Sequence, residues 1–256
     1  MCGRYASVSG RPELLEAFSA ADATAGEPLE PDHNVAPTKP VPAILDRRGD
    51  AGPVRQLRVL RWGLVPSWAK DPSIGSRLIN ARAETLADKP AFRSALSRRR
   101  CLLPAAGYYE WQPGEPVPGR KKATKQPWFI HPADGSLLAM AGLYEVWSDR
   151  AGGGAGRRLW TAAVVTGDAV DELGHHHDRS PRLVARRDWD AWLDPTRQDP
   201  AAALPLLRTA GAGELAAYPV STAVNDVSHN GPELLVPVRP GVAEGGAEAV
   251  GLDPTV

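Results

Sequence analysis

Residues 101–112 read CLLPAAGYYEWQ, two short apolar and aromatic runs separated by small residues. Aromatic and branched side chains at this density are typical of β-strands, so the stretch predicts strands over 101–104 and 107–112. Runs of the same kind on both sides of it predict further strands over 41–46, 54–62, 127–131, 137–147, 158–166, 217–221 and 234–238. Together these runs indicate a core built mainly from a mixed or antiparallel sheet.

Short helices are predicted at the margins of this sheet. Apolar residues with helical spacing predict helices over 12–21, 90–99, 168–173, 187–193 and 200–208. The first two begin at Pro12 and Pro90, a favourable first position of a helix, and the last is interrupted by Pro205. Strands in runs with small helices beside them predict an α+β domain.

Composition excludes several classes of protein. The chain has 256 residues, and its 43% apolar content is enough for a packed core. No apolar run approaches the ~18–20 residues that span a membrane, so we expect no membrane partner. Two cysteines cannot make a disulfide scaffold, and the start MCGRYA is not a secretory signal. We therefore expect a cytoplasmic protein.

Charge is balanced overall but not along the chain. The sequence has 30 basic and 30 acidic residues, yet residues 54–100 carry 11 basic and 3 acidic ones, a net charge of +8. The same segment holds Trp62 and Trp68. Arginines that bind phosphates, interleaved with aromatic rings that stack on bases, are typical of single-stranded nucleic acid surfaces. The alternative is a solvated arginine-rich face over core tryptophans, and we predict a core position for Trp62.

Cys2 directly follows the initiator Met1. Removal of Met1 would give one residue both an α-amine of pKa about 7.7–8.0 and a thiol of pKa about 8.5. The amine can condense with an aldehyde, and the thiol can close onto the resulting imine as a thiazolidine. The residue can alternatively serve as an N-terminal acyl-transfer nucleophile, or be a small buried residue without a chemical role. We interpret Cys101, which opens the apolar run CLLP, as a packing residue.

Four motifs occur in a specific order: MCGR (1–4), INAR (79–82), GYYEW (107–111) and HDRSP (177–181). In this order they resemble the SOS response-associated peptidase (SRAP) family, and NVAPT (34–38) matches a further segment of it.

The resemblance runs almost the full length of the chain. It implies one domain over 2–238, with a mixed, mostly antiparallel β core and short peripheral helices. Residues 239–256, rich in Gly, Ala and acidic side chains, are predicted to be a disordered tail.

The resemblance also implies a function in the DNA damage response. The family senses abasic sites in single-stranded DNA and captures them covalently, so that Cys2 would form a thiazolidine with the C1′ aldehyde of the open abasic sugar. The crosslink would shield the lesion, and the protein would be associated with the nucleoid while it is bound to DNA. We expect no cofactor and no metal, a monomeric protein, and single-stranded DNA with abasic sites as the partner.

Four catalytic residues follow from the motifs. Cys2 matches the nucleophile, and Asn80 matches the amide that orients the N-terminal amine. Glu110 matches the active-site carboxylate, whose pKa its aromatic neighbours should raise. His177 matches the acid–base imidazole. Because His177 ends a run of three histidines, the register rests on the Arg-Ser-Pro that follows it.

The resemblance also implies a set of DNA-binding residues. Arg4 and Arg82 match residues that hold phosphates around the lesion, and Trp68 matches an aromatic ring that stacks on a neighbouring base. Arg77 is a further phosphate candidate outside the motifs. Four basic residues of the loop 113–126 are expected to add contacts: Arg120, Lys121, Lys122 and Lys125.

Each role has an alternative. Asn80 can be a turn or helix-cap residue, Glu110 an alternating surface residue of a strand, and the three histidines a metal site, although consecutive residues rarely converge on one ion. Two other functions remain open: a cysteine peptidase using Cys2 and His177, and a non-covalent DNA-binding module using residues 54–100.

Overall fold

The computed structural model describes residues 2–50, 52–113, 125–149, 158–169 and 178–239. The strands are β1 (Tyr5–Ser7), β2 (Ala21–Asp22), β3 (Asp32–Val35), β4 (Pro40–Gly49), β5 (Gly52–Trp62), β6 (Asn80–Arg82), β7 (Arg100–Ala105), β8 (Gly107–Pro113), β9 (Lys125–Pro132), β10 (Leu138–Ser148), β11 (Arg158–Asp168), β12 (Arg179–Pro181), β13 (Leu183–Val184), β14 (Leu207–Arg208) and β15 (Leu215–Pro219).

The α-helices are short: α1 (Arg11–Phe18), α2 (Arg93–Arg98), α3 (Trp189–Leu193) and α4 (Pro200–Ala203). Short 3₁₀ helices connect other elements, at Pro72–Arg77, Ala83–Thr85, Arg186–Asp188, Leu204–Leu206, Thr222–Asn225 and Pro232–Leu235. None of the helices in the described part of the chain is long and apolar enough to cross a membrane.

Five strands close into a barrel. They follow the order β11-β5-β4-β7-β10, and β10 pairs with β11 to complete the ring. Antiparallel pairs predominate, but β11 runs parallel to β5 on one side and to β6 further along its length. A second sheet of order β15-β9-β8-β1-β3 packs against the barrel. The expected α+β architecture with a mostly antiparallel core is confirmed.

Alternate residues of the barrel strands enter two different cores. Along β5, Leu60 and Trp62 lie in the cluster enclosed by the barrel and the second sheet, whereas Leu57 faces the outer cluster under the helices. Because both faces of the strand are covered, apolar residues occupy both, and the simple alternation of a half-exposed strand is lost. Trp62 is buried, as predicted.

The helices cover the outside of the barrel. Leu14 and Phe18 of α1 are buried in the outer cluster, where Phe18 stacks on Trp189 with ring centroids 4.6 Å apart. The predicted helix 12–21 ends early because Ser19 adopts a left-handed conformation, with φ of 51°. A helix that short depends on this apolar face for its stability.

Most predicted elements are present with shifted ends. One prediction is wrong: residues 234–238 are not a strand, because Pro232 opens a 3₁₀ turn that buries Leu234, and Pro237 forms only an isolated bridge to Val220. The predicted helix 168–173 is not tested as a whole: its first residue, Asp168, ends β11, and its residues 170–173 lie outside the described part. The predicted tail lies outside it from residue 240.

Arg100 joins two helix ends to the barrel. Its buried guanidinium donates hydrogen bonds to the carbonyl oxygens of Leu96 and Ser97 at the end of α2, and of Trp192 and Asp194 at the end of α3. Terminal carbonyls of helices otherwise lack partners, so one cation satisfies two helix ends at once.

We expect Arg100→Ala to lower the free energy of unfolding by about 3 kcal/mol, because it leaves several buried carbonyls without donors. Urea denaturation measures this change. Arg98→Ala is the matched control, since Arg98 is an exposed arginine of α2 and its loss should cost far less. Equal losses in both variants would contradict this role of Arg100.

Candidate functional site

Cys2 lies inside the protein, at the start of the segment that leads into β1. It is fully buried, in the same apolar cluster as Tyr5 and Trp62. The side-chain amide Nδ2 of Asn80 donates to the carbonyl oxygen of Cys2 at 2.8 Å, and the backbone N–H of Arg4 hydrogen-bonds the Cys2 sulfur. The position of Cys2 is therefore fixed from both its main chain and its side chain.

Asn80 is held in place by the barrel. It opens β6, which pairs in parallel with β11 so that Asn80 is opposite Val164. The preceding carbonyl, of Ile79, accepts hydrogen bonds from the Val164 amide at 3.0 Å and from the Trp62 indole at 2.9 Å. The buried Oδ1 of Asn80 accepts no hydrogen bond from the described residues, so this oxygen is available as an acceptor beside Cys2.

Glu110 lies in the middle of β8 and is 3% exposed. Burial is the main cause that raises its pKa from an ordinary value near 4.5 to about 7; Asp178 adds to the rise, and Lys125 opposes it. The pKa is raised, as expected from the sequence, and its main cause is burial of the carboxyl group. A carboxyl group with a pKa close to 7 can both accept and donate a proton under neutral conditions.

Burial also raises the pKa of the Cys2 thiol far above its ordinary range, and the charge of Glu110 adds to this rise. Cys2 and Glu110 therefore lie within electrostatic range of each other. At neutral pH the sulfur is therefore a thiol, and it needs a base to become a nucleophile. Of the predicted catalytic residues, Asn80 contacts Cys2 directly, and Glu110 acts on it through its charge.

The loop between β5 and β6 carries two more of the predicted residues, Trp68 and Arg77. It folds tightly because Gly63 and Gly75 touch: a Cβ on Gly63 would lie 2.5 Å from the Gly75 oxygen, and Gly63 has a φ of 121°. The indole of Trp147 donates to the carbonyl of Ala69 at 2.7 Å. These contacts fix the loop, and they leave the Trp68 side chain 61% exposed.

The predicted phosphate-binding arginines differ in environment. Arg77 and Arg82 are exposed and form no ion pair with the described residues, and Arg82 is two residues beyond Asn80 on the same strand. Arg4 is half-buried: its Nη1 donates at 2.6 Å to Asn34 Oδ1 and at 2.6 Å to the Val224 carbonyl. Arg4 is thus anchored inside the fold.

Two residues of the site were not predicted individually. Asn34, in the motif NVAPT, is buried and uses its Nδ2 to donate to the carbonyls of Val224, Asp226 and His229, while its Oδ1 accepts from Arg4. The side chain of Arg179, in HDRSP, is 12% exposed and forms ion pairs with Glu84 and Asp168. Asn34 and Arg179 both lie within motifs of the family, and their place in these motifs was the only indication of them in the sequence.

Four predicted residues fall outside the described part of the chain: His177, Arg120, Lys121 and Lys122. Lys125, the first residue of β9, is exposed, and its charge acts on Glu110.

The raised pKa of Glu110 predicts a pH dependence of stability. The folded state keeps its proton up to about pH 7, whereas the unfolded chain releases it near pH 4.5. The contribution of this carboxyl group to stability is therefore lost as the pH rises through this window, by about 3 kcal/mol. Glu110→Gln, which does not titrate, should lack this decrease.

Urea denaturation of both proteins at pH 4.5 and pH 8 tests this expectation. The wild type should lose stability relative to Glu110→Gln over this interval. If the two proteins changed in parallel, the pKa of Glu110 would be close to that of an exposed carboxyl group.

Comparison with known proteins agrees with the motifs. The abasic site processing protein YoqW of Bacillus subtilis (strain 168) is 37% identical over 235 residues, which cover 92% of this chain and 99% of that protein. The abasic site processing protein HMCES of Gallus gallus is 33% identical over 282 residues, covering 94% of this chain and 79% of that protein.

The fold is also found in solved structures. A crystal structure of a protein from Bacteroides thetaiotaomicron matches with a TM-score of 0.77 and 22% identity, covering 93% of this chain and all of the other. The model of the family described as SOS response associated peptidase (SRAP) matches residues 1–227. The resemblance seen in the motifs is therefore confirmed, and the chain belongs to the SRAP family.

Proposed function

We propose that the protein processes abasic sites in single-stranded DNA, and that it captures them covalently through Cys2. Relatives that match over nearly the whole of this chain are named abasic site processing proteins. The observation that carries the mechanism is the fixed position of Cys2, held by Asn80 and coupled to a carboxyl group of pKa about 7.

The first step needs a free α-amine. In the full sequence the nitrogen of Cys2 is bonded to Met1, and removal of Met1 converts it into an amine. The amine attacks the C1′ aldehyde of the open abasic sugar; the carbonyl oxygen leaves as water, and an imine forms between the nitrogen and C1′.

The second step closes the ring. The Cys2 sulfur attacks C1′, and the imine nitrogen takes up a proton. A five-membered ring results, made of nitrogen, Cα, Cβ, sulfur and C1′, and the whole reaction releases one water. Since both nucleophiles belong to one residue, the second attack is intramolecular and strongly favoured by proximity.

Asn80 positions the nucleophile in this proposal. Its Nδ2 holds the Cys2 carbonyl at 2.8 Å, and its buried Oδ1 is free to accept a hydrogen bond from the new α-amine. An amine that donates to Oδ1 keeps its lone pair directed toward the incoming aldehyde carbon. The amine is then already oriented for attack when the aldehyde arrives.

Glu110 moves protons. Since the buried thiol is protonated at neutral pH, ring closure requires a base, and the ionised fraction of Glu110 can take this proton. In its protonated form the same carboxyl group can assist opening of the sugar or loss of water. We propose His177 as a second acid–base group.

The DNA strand is proposed to lie across the exposed Arg77, Arg82 and Trp68. Guanidinium groups without carboxylate partners in the described structure suit phosphate contacts, and an exposed indole on a fixed loop suits base stacking. Arg4 contributes from within the fold. We propose that the protein acts as a monomer.

Peptidase action on other proteins is less well supported. A cysteine peptidase needs a thiolate, which requires a lowered thiol pKa. The pKa of the Cys2 thiol is instead raised.

The wild type should form an adduct with an abasic oligonucleotide that survives denaturation and has the summed mass of both molecules less one water. Cys2→Ala should abolish it: its α-amine can still form the imine, but without the thiol no thiazolidine closes, and the imine hydrolyses on denaturation. Cys101→Ala is the control, because it removes the other buried cysteine. Denaturing electrophoresis with intact-mass spectrometry measures the outcome, and an undiminished yield in Cys2→Ala would overturn the proposal.

Two variants of Asn80 separate its two hydrogen bonds. Asn80→Ala removes the donor and the acceptor, and should slow adduct formation by about tenfold or more. Asn80→Asp keeps an acceptor for the amine and should retain more of the rate. The initial rate of adduct formation at saturating DNA is the readout. Equal rates for Asn80→Ala and the wild type would show that Asn80 does not position the amine.

A further inference from the structure

A basic and aromatic cluster lies at the end of the barrel away from Cys2. It consists of Arg47 on β4, Arg58 on β5, Tyr144 on β10 and Trp160 on β11. Trp160 precedes Val164, the partner of Asn80, by four residues, or about 13 Å along the strand. The cluster is therefore separate from the candidate active site.

One indole brings two guanidinium groups together. The Cζ atom of Arg58 lies 4.5 Å from the centroid of the Trp160 ring, and that of Arg47 lies 5.4 Å from it. Tyr144 stacks on Trp160 with 5.8 Å between ring centroids, and its hydroxyl hydrogen-bonds Arg47. Four strands of the barrel, β4, β5, β10 and β11, thus contribute one residue each to this cluster.

The two cations have no carboxylate partner among the described residues. Nearby arginines are neutralised: Arg55 pairs with Asp46 and Asp190, and Arg99 pairs with Glu145. Arg58 instead donates to the neutral side chain of Gln56 at 3.0 Å.

Burial lowers the pKa of the Arg58 guanidinium, and the charge of Arg47 lowers it further. The two like charges thus act on each other with no carboxylate partner in the described part of the chain, and an anion placed between them would relieve the repulsion.

We propose that Arg47 and Arg58 bind a phosphate group, with Tyr144 as an additional hydrogen-bond donor. Guanidinium groups match the geometry of phosphate oxygens, and two of them can bind one phosphate from two sides. Trp160 keeps both side chains in position. The phosphate has two conceivable sources: a free phosphate compound, or the backbone of a DNA strand that extends beyond the lesion.

Calorimetric titration of the full chain with pyrophosphate at low ionic strength tests the site. We expect measurable binding that is weakened at least about tenfold in the double variant Arg47→Gln/Arg58→Gln, because charge-assisted hydrogen bonds are lost. Arg48→Gln is the control: this exposed neighbour on β4 carries the same charge but makes no contact with Trp160. It should bind as the wild type does.

A second arm distinguishes the sources. Lesion-free single-stranded oligonucleotides of increasing length are titrated into the wild type and the double variant. If the DNA backbone is the ligand, the gain in affinity with oligonucleotide length will be lost in the double variant. If a free phosphate compound is the ligand, the double variant will bind pyrophosphate more weakly but will bind the oligonucleotides as the wild type does.

The inference is overturned if pyrophosphate does not bind the wild type, or binds the folded double variant equally well. Thermal denaturation establishes the folding of each variant. The titration does not involve Cys2, so its failure would not affect the proposed covalent capture.

Discussion

The parallel pairing of β6 with β11 is the constraint on which the site depends. It places Asn80 opposite Val164 at the edge of the closed barrel, and the Ile79 carbonyl beside it is fixed by hydrogen bonds from Val164 and Trp62. From there Asn80 holds the main chain of Cys2. A chain terminus would ordinarily be mobile, but here the barrel extends its order to the second residue of the chain.

Burial then sets the chemistry of the site. Burial raises the pKa of the Cys2 thiol, and it raises the pKa of Glu110 to about 7. The thiol thus stays protonated until a base acts on it, and in the proposed mechanism Glu110 is that base. The same proposal has Cys2 make two successive attacks on one aldehyde carbon. The tight contact of Gly63 with Gly75 fixes the adjoining loop and leaves Trp68 exposed.

Much of this could be predicted from local sequence. The run CLLPAAGYYEWQ identified β7 and β8, and the short motifs selected Cys2 and Asn80, which the structure places in contact. Local patterns did not predict the 3₁₀ turn at Pro232, since an apolar run such as LLVPV is compatible with a strand until its burial is known. Nor did they show that Arg4 is bound by Asn34, or that Arg47 and Arg58 share Trp160, because these contacts depend on strand register between distant segments.

The central claim concerns one residue and can be tested at that residue. The adduct formed with an abasic oligonucleotide would be digested with nuclease and protease, and its peptides sequenced by mass spectrometry. The account predicts that the modified peptide begins at Cys2, lacks Met1, and carries the sugar remnant on Cys2. A modification on a lysine, or on a peptide that still begins with Met1, would contradict it.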